Sequence, residues 1–167
     1  MIVFTRIDDR LIHGQVVEGW VNYLKATCIM VADDSVASNA FQRSILELSV
    51  PQGLKVLIGS VNEICGWLRS SAFESERAIL LFSRPADVVR AIHEGMECRV
   101  LNIGGMHFIP GKRKLMDILA VNESDLQAFK EISDQGVKID VQAVPTQRAD
   151  SLEKLLHVCS RTEKPKA

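Results

Sequence analysis

Between Lys55 and Gly95 the chain reads KVLIGSVNEICGWLRSSAFESERAILLFSRPADVVRAIHEG. Residues 55–58 and 78–82 are short apolar runs of strand length, and residues 61–68 between them read as a helix. Pro85 sits where a first helical turn is expected, and Val88, Val89 and Ile92 lead from it to a terminator at Gly95. Strand and helix therefore alternate twice, and a strand–helix–strand unit of this length joins parallel neighbours in a sheet.

Working outward, the same rhythm continues. Towards the N-terminus, residues 2–7 form a strand, and Val16, Val17, Trp20, Val21 and Leu24 mark a helix over 16–25. Residues 28–31 form the next strand, which ends at the acidic pair Asp33-Asp34. Ser38 or Asn39 caps a helix through Phe41, Ile45, Leu46 and Leu48, stopped by the Pro51-Gln52-Gly53 turn. Towards the C-terminus, 99–103 is a fifth strand. After it the rhythm breaks: 104–111 reads as a loop, and 115–121 as an extended piece or a short helix followed by a strand. A helix over 124–135, with Leu126, Phe129 and Ile132 on one face, stops at Gly136. Residues 138–144 alternate as a strand up to Pro145, and 152–158 close the chain with a short helix. The expected fold is a single α/β domain over 1–158: an open, doubly wound, mainly parallel sheet with helices on both faces, followed by a polar tail at 159–167.

Composition agrees with one globular domain. The 167 residues are 47% hydrophobic and 25% charged, with a net charge of -1. So even a balance of charge gives no broad nucleic-acid surface. No apolar run approaches the length of a membrane span, and MIVFTRIDDR lacks the pattern of a signal peptide, so a cytoplasmic protein is expected. Cys28, Cys65, Cys98 and Cys159 form no CxxC or close Cys/His pair. They read as reduced thiols, with Cys28 and Cys98 in strands and Cys65 in a helix, and neither a metal nor a cofactor is expected.

In doubly wound sheets, ligands bind beyond the carboxyl ends of the strands, near the point where strand order reverses. The densest chemistry in the chain lies in such a place, in Arg6-Ile7-Asp8-Asp9-Arg10-Leu11-Ile12-His13-Gly14-Gln15. A neutral imidazole at His13 can attack phosphorus, since its ordinary pKa of about 6.5 leaves it mostly unprotonated at pH 7. Asp8 or Asp9 can hold the far ring nitrogen. Arg10 and Arg6 offer guanidinium forks suited to phosphoryl oxygens. Gly14 and the amides opening the next helix offer an anion site. The blander reading makes His13 a capping or packing histidine beside a surface ion pair. His107, in the Gly104-Gly105-Met106-His107-Phe108 segment, lies at the same edge, and Asn102, Gly104 and Gly105 can line a small pocket. His93 reads as a helix-end residue and His157 as an exposed one, and Trp20 and Trp67 as core. The glycines form neither GxGxxG nor GxxxxGK[ST], so no nucleotide loop is expected.

On these residues the chain resembles the IIB component of the mannose–fructose–sorbose class of the phosphoenolpyruvate-dependent sugar phosphotransferase system. RIDDRLIHGQVVEGW at 6–20 carries the resemblance most strongly. IMVADDSVASN, ILLFSRPADV, LNIGGMHFIPGKRKL and ESDLQAFKEISDQGVKIDVQAVPT support it at their expected places. It implies a phosphocarrier, a protein-N(pi)-phosphohistidine–sugar phosphotransferase. In it His13 takes a phosphoryl group from a histidine of a IIA partner and gives it to a sugar bound by membrane IIC/IID components. Arg10 and Asp8 fall on positions that bind or orient the phosphohistidine, and Ser83, Asp9 and Gln15 are further contacts to weigh. The resemblance also implies transient docking at the inner face of the membrane, with self-association left open. The expected docking rim consists of Arg6, Arg10, Lys112, Arg113 and Lys114. A regulatory carrier without a sugar acceptor, or a small-ligand binding module, are the alternatives.

Overall fold

The computed structural model describes residues 1–70 and 73–162. Its central sheet has seven strands in the order β3-β2-β4-β1-β5-β8-β9. These are β1 (Ile2–Asp8), β2 (Cys28–Ala32), β3 (Lys55–Gly59), β4 (Ala78–Phe82), β5 (Val100–Gly105), β8 (Lys138–Val141) and β9 (Asp150–Ser151). All neighbours are parallel except β8 and β9. The connection from β1 leads to the β2 side, whereas those from β4 and β5 lead the other way. The reversal falls between β1 and β5, so the carboxyl end of β1 opens at the switch point.

Because the sheet is covered on two faces, its central strands read as unbroken apolar runs. In β4, Ile79 and Leu81 face one cluster with Ile29, Val31, Val16 and Trp20. Leu80 and Phe82 face the other, with Met30, Ile64, Val88, Leu101 and Phe129. The first face is covered by the segment after β1 and by α3 (Ala40–Leu48). The second is covered by α4 (Val61–Leu68), α5 (Pro85–His93), α6 (Glu123–Asp134) and α7 (Leu152–Thr162). Local signals set several boundaries: Ser60 and Glu63 form a capping box at α4, Pro85 opens α5, and Gly95 follows it at φ +91°.

Several boundaries differ from expectation. The helix after β1 is a π-helical stretch, Gln15–Val21, closed by the single turn α1 (Asn22–Leu24). Asp33 caps the short α2 (Asp34–Ala37) before Asn39 caps α3. Of the apolar stripe on α3 only Leu46 packs on the core, while Phe41 and Leu48 are exposed. β5 runs on through Gly104 and Gly105 instead of stopping at Ile103, and Cys98 lies before it rather than within it. The undecided segment at 115–121 belongs to an antiparallel hairpin, β6 (Arg113–Met116) and β7 (Leu119–Val121). β8 ends at Val141, short of 144. α7 continues past Val158 to Thr162; the rest of the expected tail, like the Cys159 side chain, lies outside the described residues. Cys28 and Cys65 are buried free thiols, and burial pushes Cys28 up to about 11. Among the described residues no helix is long and apolar enough to cross a membrane.

Candidate active site

Alternation along β1 decides which side chains meet. Ile7 points into the second face, so Phe4, Arg6 and Asp8 share the first. Beyond Asp8 the chain turns back on itself. The Leu11 N–H donates to the Asp8 carbonyl at 2.9 Å, and Leu11 adopts φ +56°, a left-handed conformation that a branched side chain rarely takes. Leu11 and Ile12 are both buried, and their burial anchors that turn. The turn returns His13 over Asp8, with His13 Nε2 2.9 Å from Asp8 Oδ2.

The Asp8 carboxylate has no exposed surface and collects every cation nearby. Oδ2 accepts from Arg6 Nη2 at 2.9 Å as well as from His13, and Oδ1 lies 3.5 Å from Arg10 Nε. Arg10 is partly exposed, and its Nη2 donates to Gln15 Oε1 at 3.1 Å. Burial pushes the Asp8 carboxyl up, but the His13 hydrogen bond and the Arg6 charge outweigh it and hold Asp8 below the usual carboxylate range. An ionised carboxylate only accepts hydrogen bonds, so neutral His13 carries its proton on Nε2 and its lone pair on Nδ1.

This buried carboxylate stabilises the fold in a defined pH window. Its contribution is complete above about 3.9, the value for an unfolded aspartate, and is lost as the pH falls from there through the lower folded value. Asp8→Asn leaves Arg6 buried without its counter-charge and should cost about 3 kcal/mol or more at pH 7. Urea denaturation should find this difference from the unmodified chain shrinking as the pH drops below about 3.9.

The neighbouring strand completes the network. Asn102 Oδ1 accepts from Arg6 Nη1 at 2.6 Å, and Gly104 stands directly against the guanidinium. Gly105 packs beside the Asp8 carboxylate, and its carbonyl accepts from the Asp9 N–H at 3.0 Å. Asp9 binds His107 instead of His13: Oδ1 lies 2.6 Å from His107 Nδ1, and Oδ2 accepts from the His107 backbone N–H at 2.6 Å. The space around Gly14 is open.

Two expectations, for Arg6 and for Ser83, are corrected by these positions. Arg6 is fully buried and is not part of a rim. Lys112 and Lys114 of that rim pair with Asp125 at 3.0 Å and Asp117 at 2.8 Å. The Ser83 hydroxyl donates to Asp33, the cap of α2, and not to the His13 network. Asp34 meanwhile pairs with Arg90 at 2.7 Å. His93 pairs with Glu131 at 2.9 Å, in keeping with its helix-end place. One participant does not show in the sequence pattern. Trp20 lies against Arg6, with the guanidinium carbon 5.5 Å from the ring centroid, and its Nε1–H donates to the Ala143 carbonyl at 3.0 Å. The shared facing of Phe4 and Arg6 on β1 is the one signal that points to it.

The sequence profile of the family described as the PTS system sorbose subfamily IIB component matches residues 2–166. The fructose-specific EIIB component of Bacillus subtilis is 32% identical over 155 residues, covering 93% of this chain and 95% of that protein. The sorbose-specific EIIB component of Klebsiella pneumoniae is 36% identical over 143 residues, covering 86% of this chain and 87% of that protein. Among solved structures, the IIBSor domain of the Klebsiella pneumoniae sorbose permease superposes with a TM-score of 0.90 at 32% identity, covering 94% of this chain and 96% of that one.

Proposed function

Since the chain belongs to the sorbose subfamily of phosphotransferase-system IIB components, a family of phosphoryl carriers, we propose that its acceptor is Nδ1 of His13. The donor is a phosphohistidine on a IIA partner, and the final acceptor is a hydroxyl of a sugar held by membrane IIC/IID components, approached from the cytoplasm. The observation that carries this reading is the 2.9 Å contact between His13 Nε2 and Asp8 Oδ2, which leaves Nδ1 as the nitrogen with a lone pair.

In the first step the Nδ1 lone pair forms a bond to phosphorus as the donor's P–N bond breaks, and the donor imidazole keeps that electron pair. The positive charge gathered by the ring is balanced by the carboxylate at Nε2. In the second step a sugar hydroxyl oxygen bonds to phosphorus, Nδ1 recovers its lone pair, and the hydroxyl proton passes to solvent or to a base of the partner. Such transfers rest on positioning and charge stabilisation. Arg10 can provide that stabilisation, because its guanidinium is partly exposed and stands beside the Asp8–His13 pair. The loop beyond β5, with His107, Phe108 and Ile109 exposed, adjoins the site through Asp9 and gives partners a surface to meet.

The test is incubation with phosphorylated IIA, followed by addition of membranes carrying IIC/IID and a sugar. One acid-labile phosphate per chain should appear and then pass to the sugar. A chain that takes up no phosphate, or takes it up in acid-stable form, contradicts the proposal.

A further inference from the structure

Among the described residues Arg6 is the largest of the fully buried side chains, ahead of Phe82. Burying a guanidinium is costly unless its donors are met, and replacement of a buried ion pair by apolar groups is often neutral or stabilising. Such a residue needs a reason beyond cohesion. The surroundings are built around it. Nη1 donates to Asn102 Oδ1 at 2.6 Å and to the Gln142 carbonyl at 3.0 Å. Nη2 donates to Asp8 Oδ2 at 2.9 Å and to the Ala143 carbonyl at 3.1 Å. The Trp20 ring lies against the group, and a Cβ at Gly104 would stand 1.7 Å from its central carbon, so only glycine leaves room. Nε, in contrast, has no partner. The arrangement thus satisfies the end of the fork that meets Asp8 and leaves the other nitrogen unmet.

The decisive detail is that Arg6 Nη2 and His13 Nε2 converge on one atom, Asp8 Oδ2, each at 2.9 Å. We propose that Arg6 is a positioning residue for phosphoryl transfer: it fixes Asp8 Oδ2 as the acceptor for His13 Nε2–H, so that Nδ1 faces the donor with its lone pair, and it never touches the phosphoryl group. This inference rests on His13 being the acceptor and gives Arg6 a role different from phosphoryl contact. Its full burial excludes it from direct contact with a partner-borne phosphate in this arrangement.

The consequence is electrostatic as well as geometric. The charged groups facing His13 are Asp8, with Arg6 beneath it on β1, and Arg10 from the turn; Asn102 on β5 is neutral, and Asp9 is engaged by His107. Removing the Arg6 cation leaves the buried carboxylate free to draw a second proton onto the imidazole. A doubly protonated ring has no lone pair at Nδ1, so the reactive form would emerge only at higher pH.

The test has two arms, both on the full chain with phosphorylated IIA as donor. In the unmodified protein, the Arg6 Nη–H resonances are followed by NMR while His13 is titrated and then phosphorylated. They should shift with the same midpoint as the His13 ring and again on phosphorylation. In the second arm, transfer to Arg6→Met and Arg6→Lys is measured against pH. The rising limb of the Arg6→Met profile should move up by about one unit or more, with Arg6→Lys between it and the unmodified chain. Arg6 resonances that ignore both events overturn the inference, whether or not the variants fold. So does a folded Arg6→Met protein that is slower with an unmoved profile, because that is the mark of a structural role. Failure of the unmodified chain to take phosphate on His13 would instead refute the functional reading itself.

Discussion

His13→Ala should fold and take no phosphate from phosphorylated IIA. The imidazole contributes one hydrogen bond to Asp8, so its loss should cost about 1–3 kcal/mol of stability, the penalty of a buried acceptor that loses one partner. Arg6 and the Arg10 N–H still hold the carboxylate, the latter at 3.3 Å from Oδ1. Transfer, in contrast, loses its nucleophile outright and should fall to the detection limit, roughly 10,000-fold or more. His107→Ala provides the control. His107 binds Asp9 through its Nδ1, and its removal should leave labelling at one phosphate per chain. Full labelling of folded His13→Ala would show that the Asp8–His13 pair is structural.

Arg10→Lys should separate rate from stability. Arg10 lies at the surface of the site, and its contacts to Gln15 and Asp8 are long or solvent-exposed, so stability should change by no more than about 0.5 kcal/mol. A lysine keeps the charge but not the planar fork that matches two phosphoryl oxygens. Loss of one such contact in the transition state should cost about 2–4 kcal/mol, or roughly 30- to 1,000-fold in the rate of transfer. Stopped-flow transfer from phosphorylated IIA, alongside urea denaturation of both proteins, measures the two quantities. Equal rates would assign Arg10 to its Gln15 and Asp8 contacts alone.

How far the sequence reveals this molecule depends on whether the deciding forces are local. Between Lys55 and Gly95 the apolar runs, the Ser60 cap, Pro85 and Gly95 all act on their own neighbourhoods, and the strands and helices there fall where the pattern places them. Gly104 and Gly105 read as loop because glycine is poor in strands. Their lack of side chains instead serves Arg6 and Asp8 on the adjacent strand, a tertiary cause that no local pattern carries. The hairpin of β6 and β7 is too short to declare itself, and its turn bears no strong signature.

The candidate site divides in the same way. Its place at the end of β1 follows from topology, and the closeness of Asp8, Arg10 and His13 from their spacing in one turn. The roles of the two aspartates depend on the left-handed turn at Leu11, which brings His13 back over Asp8 and leaves Asp9 to His107. Arg6 reads as a surface cation because arginine usually is one. Its inward place follows from sharing a face with Phe4, and its partners Asn102, Gln142 and Ala143 are distant in sequence. The lysines near 112 read as a basic run, yet each has a carboxylate partner that only the folded chain reveals.

The position of the phosphate on the ring tests the central claim most directly. Protein with 15N-labelled histidine, phosphorylated by IIA, can be examined by 31P and 15N NMR for the nitrogen that carries phosphorus. The Asp8 contact at Nε2 predicts a single phosphate on Nδ1 of His13, with Nε2 still protonated and hydrogen-bonded. Phosphate on Nε2 of His13, or on any other residue, would contradict the account.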